Sequence, residues 1–199
     1  MNRPEVIKGK FVHFDPDAAQ GRAIPFQYNP ETLKRTVTPG DHGSPAKETI
    51  EFTLLLDASD MAQGGSASGI YPALSALESL VQQPSGDERL WERLGLWESR
   101  RAFTLFVWGV QRIVPVSVLE LLIHEQMFDT ALNPVRASID VTLETLSDAD
   151  LRRNRRAKEI MDSYRSRKDA LVRQSGSMTS LDDLLKDRRL KEKQRGEKG

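Results

Sequence analysis

The chain has 199 residues, 38% of them hydrophobic and 29% charged, and its 29 basic side chains balance its 29 acidic ones. That is enough for one ordinary domain with an appendage, or for two small domains, but the apolar material is too sparse to build a core along the whole length. The absence of cysteine rules out a disulfide framework, a thiolate nucleophile and a Cys-based metal site.

Nothing at the start reads as a targeting segment: MNRPEVIKGKFVHF is too polar for a signal peptide. No run approaches the ~18 consecutive apolar residues of a membrane helix. The expectation is a soluble chain without a membrane segment, cytoplasmic when it is made. From Lys8 to Val37 come short strand-like pieces, KGKFVHFD and AIPFQY. In FQYNPETLKRTV, an apolar strand breaks at Asn29-Pro30 and continues as neither clear helix nor clear strand. TPGDHGSPAK follows as a Pro/Gly linker. In ETIEFTLLLDA, Ile50, Phe52, Leu54 and Leu56 alternate with Glu51, Thr53, Leu55 and Asp57, which predicts a strand with one buried face.

After the loose stretch SDMAQGGSASG the period changes. Ile70, Leu74, Leu77, Leu80 and Val81 recur at spacings of three and four, predicting an amphipathic helix with Pro72 in its first turn and Pro84 beyond its end. SGDERLWERLGLWESRR reads as a helical turn or a loop anchored by Trp91 and Trp97. Three strands close the body. They are Ala102 to Gly109, a long one from Ile113 to Phe128 with Pro115 near its start, and Asn133 to Leu146, which alternates cleanly. The short connection DTALNP predicts an antiparallel hairpin between the last two. The order β-β-β-α-β-β-β gives a mainly β fold with one flanking helix. A small antiparallel barrel or sandwich suits such strands better than a parallel sheet.

Past Ser147-Asp148, good N-cap residues, the composition shifts. Leu151, Ile160, Met161, Tyr164, Leu171 and Val172 form a loose stripe among many basic residues, and LDDLLKDRRLKEKQRGEKG reads as a second short helix that frays. From Arg152 onward sixteen Lys and Arg stand against eight Asp and Glu, so the residues before it carry the matching acidic surplus. The domains expected are 1–148 and a basic helical tail, 149–199, that stays solvated or docks on a partner.

Residues for chemistry are scarce. His13, His42 and His124 have no second His or carboxylate at ligand spacing, so no metal site is expected. GGSASG, Gly64 to Gly69, leads into a helix start where amides could hold a phosphate, yet it lacks the lysine and βαβ setting of a P-loop. LRRNRRAK is the densest basic run, without the interleaved aromatics that would stack on bases, so nucleic acid is not the partner expected from this pattern. No catalytic set and no cofactor-binding motif emerges, and the chain reads as a non-enzyme.

The pieces FQYNPETLKRTV, ETIEFTLLLDASD, GIYPALSALESLV and FTLFVWGVQRIVPVSVLELLIHEQMFDTALNPVRASIDVTLETL, in this order, resemble the N-terminal tube domain of contractile injection system proteins, over about residues 5 to 148. The matching positions are Tyr28-Asn29-Pro30, Phe52 to Asp57, Ile70 to Val81, Phe106-Val107-Trp108-Gly109, Phe128 to Ala137 and Ile139 to Glu144. The resemblance implies a phage-tail-tube β-barrel with a flanking helix, assembled as a homo-hexamer around a channel. It also implies a structural, non-enzymatic role joining the spike and baseplate hub to the inner tube. Relatives of this type often carry a LysM-like module where this chain has its basic tail. Asn133 stands where a glycine would be typical, a place it can serve by adopting positive φ.

On this reading the subunit interface comprises an arm, Asn29, Pro30, Thr32 and Leu33, with Thr32 to Val37 reaching the next subunit. A tail patch, Arg152, Arg153, Arg155 and Arg156, would meet baseplate or sheath proteins. The adaptor ring is preferred over a repeated inner-tube subunit, because a bulky basic tail has little use on every ring. The alternatives from other classes are a nucleic-acid-associated protein binding through the tail, and a small-ligand β-barrel enzyme.

Overall fold

In the computed structural model, residues 6–15, 18–40, 45–60, 68–81 and 102–176 are described. Seven strands form one antiparallel sheet: β1 (Lys10–Phe14), β2 (Arg22–Pro25), β3 (Lys34–Thr38), β4 (Lys47–Asp57), β5 (Phe103–Trp108), β6 (Arg112–Phe128) and β7 (Pro134–Thr145). Their order across the sheet is β2-β1-β5-β6-β7-β4-β3. Among the described residues three α-helices accompany it: α1 (Tyr71–Glu78), α2 (Asp148–Arg152) and α3 (Arg155–Ser175). Trp91, Trp97, His42 and the helix expected after Ser180 lie outside the described residues.

The alternation read in the sequence sets the faces. On β4, Ile50, Phe52, Leu54 and Leu56 are buried, and on β7 Ala137, Ile139, Val141 and Leu143 are their register partners on the same inner face. Outward, Lys47 pairs with Glu144 and Arg136 with Asp57, so charge is matched strand to strand.

The sheet is strongly rolled. Four strand steps separate β1 from β4, about 19 Å if the sheet were flat. Yet the Phe11 and Phe52 rings lie 6.4 Å apart, with Phe106 between them at 6.1 and 5.4 Å. An aromatic cluster therefore fills the roll.

The roll is nevertheless not the closed barrel expected from the sequence. β2 and β3 are its edges, and among the described residues no backbone ladder joins them. The reasons are local. β2 is only four residues long and ends at Pro25, which has no N–H to give. β3, KRTVT, is exposed at all five positions and has no apolar row to seat across the gap. Helix α1 brings Ile70, Leu74 and Leu77 into the core, anchored by the Ile70 N–H on the Pro134 carbonyl at 3.0 Å and by the Arg22 guanidinium on Ser79 Oγ at 2.7 Å.

The chain divides into two compact units, one ending at Tyr164 and one beginning at Arg165. The boundary expected at residue 148 therefore falls inside the first. The reason is burial: Leu151, Ala157, Met161 and Tyr164 all join the core cluster, so the helical segment packs on its own body through Tyr164. Ser147 caps α2 as its sequence suggests, accepting from the Asp150 N–H. In the second unit α3 continues to Ser175, with Leu171 and Val172 exposed.

Candidate functional site

The stretch FQYNP ties the two flanks of the roll together without closing the sheet. Phe26 enters the aromatic cluster 5.2 Å from Phe11 and 5.7 Å from Phe52. Gln27 then does with its side chain what a neighbouring strand would do with its backbone. Its Nε2 donates to the Asp57 carbonyl at 2.7 Å, and its Oε1 accepts from the Asp57 N–H at 2.9 Å. The Tyr28 hydroxyl donates to Asp60. Asn29 pins the turn: its Oδ1 accepts from the Gly9 N–H at 2.8 Å, and its Nδ2 donates to the Ile7 carbonyl at 2.9 Å. These residues clasp β4 to the β1–β2 side of the sheet.

The arm expected from Thr32 to Val37 does not leave the sheet. From Lys34 to Thr38 it pairs with Glu51 to Lys47 of β4, because β4 offers a free ladder edge to which the chain returns. Thr32 is exposed, whereas Pro30 is half-buried and Leu33 packs against the core. Of the four arm residues, Asn29 is thus tied into its own chain, and the surface that faces outward is the edge strand that follows them.

Asp57 is held as a carboxylate at the clasp. Hydrogen bonds from the Ser59 side chain and backbone, followed by the Arg136 guanidinium, push its pKa down to about 2. A depressed carboxyl contributes stability above its unfolded value and loses that contribution as pH falls through the folded value. Acidification from about pH 4 to about pH 2 is therefore expected to loosen the Asp57–Arg136 side of the clasp. A carboxyl carbon titration of Asp57 by NMR should show a midpoint near 2; a midpoint at the ordinary aspartate value would dismiss the carboxylate as a clasp element.

Among the described residues the ladder runs on one side only along β2, along residues 52–57 of β4, along the distal half of β6 and along β3. β5 pairs only with Arg112 to Val116 of β6, whereas β7 pairs with Val116 to Phe128. Residues 117–128 of β6 therefore pair on one side only, among the described residues. Exposed along this stretch are Leu119 (52%), Leu122 (49%), Met127 (61%) and Phe128 (54%), a bulge lying between Val118 and Glu120. The β6–β7 hairpin forms as expected, but positive φ falls on Met127 and Leu132 and not on Asn133. Asp129 dictates this by accepting from the Ala131 and Asn133 N–H groups, each at 2.8 Å, and from Asn133 Nδ2 at 2.9 Å. β3, at one end of the strand order, is likewise open on its outer side.

The basic tail patch is partly used within the chain. Arg156 donates to the carbonyls of Ala18 and Ala19 and lies over the Phe14 ring at 5.7 Å. Arg155 pairs with Glu159 one turn on, while Arg152 and Arg153 end α2. Tyr164 donates to the buried Glu48 carboxylate, which Arg35 of β3 also contacts at 3.0 Å. Sequence reasoning passed over Glu48, although it extends the inward row of β4 by one more alternate step and puts a charge on it.

Elsewhere His13 sits between Thr104, 3.0 Å from Nδ1, and Asp15, 3.5 Å from Nε2. A hydroxyl, an imidazole and a carboxylate in line are the parts of a nucleophile relay, but Thr104 is 4% exposed and cannot meet a substrate in this arrangement. Burial lowers the pKa of His13. At the start of α1 the Ile70 and Tyr71 amides bond to Pro134 and Ser68, which occupies the donors a phosphate would need. Among the described residues no group of three His, Asp or Glu could hold a metal ion, and no helix is long and apolar enough to cross a membrane.

No protein-family model matches this sequence, and no curated protein matches it.

Proposed function

We propose that the chain is a structural subunit of a contractile injection system or phage-like tail, assembling as a six-membered ring that joins the spike and baseplate hub to the inner tube. The observation that carries this reading is that two of the open edges of one sheet, β6 from 117 to 128 and β3, are longer than the four-residue β2. An unpaired, apolar strand edge is a template for another strand. Here the second edge needed to satisfy it lies at the far side of the same sheet, so β6 of one copy meets β3 of the next. Such a head-to-tail contact closes into a ring when the rotation between copies permits. The order of motifs from Tyr28 to Glu144 supports the same reading. In it, hub and inner-tube proteins meet the two faces of the ring, and baseplate or sheath proteins meet the basic residues beyond Tyr164.

Electron microscopy of the purified full chain, with sedimentation, tests this directly. Six-fold rings with an open centre are expected. They are expected to vanish in Leu119→Lys/Leu122→Lys, because charge on an edge blunts strand pairing, while the circular dichroism of the subunit stays that of the wild type. Another symmetry, or rings that survive in the folded double variant, would reject the β6 edge as the contact.

A further inference from the structure

Glu48 is the one charged member of the inward row Glu48, Ile50, Phe52, Leu54 and Leu56, and it is buried. Two elements far apart in sequence hold its carboxylate. From α3, the Tyr164 hydroxyl donates to Oε2 at 3.1 Å and lies 3.4 Å from Oε1. From β3, Arg35 Nη2 donates to the same Oε2 at 3.0 Å. The Glu48 N–H in turn donates to Thr145 Oγ1 at the end of β7. Tyr164 shares its helix stripe with Ala157 and Met161, both buried, so the hydroxyl reaches Glu48 only while α3 lies on the body. Burial and the Glu48 charge raise its pKa, so it remains a donor.

The strand at the other end of this link is weakly held. β3 has five exposed residues and, among the described residues, a ladder on one side only. Among its ion pairs, Lys34–Glu51 lies at the surface, whereas Arg35–Glu48 reaches a buried partner. An exposed pair holds little, while a charge-assisted bond to a buried carboxylate holds more.

We propose that Glu48 is a mechanical joint that couples docking of the C-terminal helix to the order of the edge strand β3. If α3 lifts, the carboxylate loses its hydroxyl donor while remaining inside. Water replaces that donor where the start of β4 opens, at Glu48 and Lys47, which pair with Val37 and Thr38. The β3 edge then frays. Because coupling free energies are reciprocal, a strand that captures β3 and fixes Arg35 tightens α3 on the body by the same factor. This rests on the ring reading for its purpose: a hub or baseplate protein that takes hold of the chain beyond Tyr164 would thereby regulate the edge offered to the next subunit.

Hydrogen–deuterium exchange of the full chain, at a dilution where sedimentation shows monomer, tests the joint without any assembly. Tyr164→Phe is expected to raise exchange of the β3 amides that pair with β4 on the order of tenfold, the loss expected for one hydrogen bond to a charged group. Arg35→Met, on the exposed strand and harmless to the core, is expected to raise exchange over residues 155–164. Unchanged β3 exchange in the first variant, or unchanged α3 exchange in the second, overturns the coupling. Either failure leaves the ring reading standing, whereas missing rings with both exchange effects present would reject the ring alone.

Discussion

Replacing Phe106 by alanine is expected to cost the fold about 3–5 kcal/mol, the range for emptying a fully enclosed aromatic site. Phe106 is 0% exposed and lies 6.1 Å from Phe11, 6.4 Å from Phe26, 5.4 Å from Phe52 and 6.2 Å from Trp108. Those rings come from β1, the clasp, β4 and β5 itself, so the vacancy opens where the roll brings opposite flanks of the sheet together. Nothing there can slide in to fill it without unrolling a strand. Denaturant unfolding followed by circular dichroism measures the loss. A cost below about 1 kcal/mol would mean that the cluster collapses freely and does not hold the roll.

Gly69→Ala is the second large effect. An added Cβ would stand 2.2 Å from the Pro134 carbonyl oxygen, the very atom that accepts the Ile70 N–H at the start of α1. The position also has φ of +56°, where an L side chain is penalised by roughly 1–2 kcal/mol. Adding the displacement of a backbone group brings the expected loss to about 3 kcal/mol. Gly109→Ala supplies the comparison: φ is +66°, but nothing lies within 4 Å, so only the backbone penalty applies. Equal losses in the two variants would show that α1 yields to the added methyl and is not fixed to β7 at this joint.

These sites show which parts of the fold were legible. The strands of β4 and β7 announce themselves because one face is buried and the other wet, so Ile50 to Leu56 and Val135 to Leu143 alternate in the sequence itself. The helix from Ile70 is legible for the same reason at a different period. What alternation cannot convey is which strand meets which. The pairing of Lys10 with Val107 and of Thr49 with Glu144 is decided by contacts across the whole chain, and so is the gap between β2 and β3.

The clasp was illegible for a more specific reason. Gln27 satisfies a backbone with a side chain, and no pattern marks an amide that will do so; of the residues read as an arm, Asn29 alone is part of this fastening. Asn133 misled through its reputation for positive φ, when Asp129 had already fixed the turn and left the strain on Leu132. The docked helix was hidden because the stripe of Leu151, Met161 and Tyr164 is loose and set among many basic residues, which does not say whether it meets its own body or a partner. Only Glu48, a charge on an inward row, hinted that something polar had to reach into the core to meet it.

The strand order has a consequence for how the protein comes into being. β5, β6 and β7 form a continuous meander at the centre, and the four earlier strands flank it, β1 and β2 on one side, β4 and β3 on the other. As the ribosome delivers the chain, the flanks therefore emerge before the centre on which they must be laid. The hairpins β1–β2 and β3–β4 can close early, but each then presents a bare edge while some ninety further residues are added. At about 5–20 residues per second that wait lasts several seconds. For that interval the nascent protein must shield two half-sheets from every other unfinished copy nearby, and the solubility of the newborn chain is set there, before the rolled sheet exists.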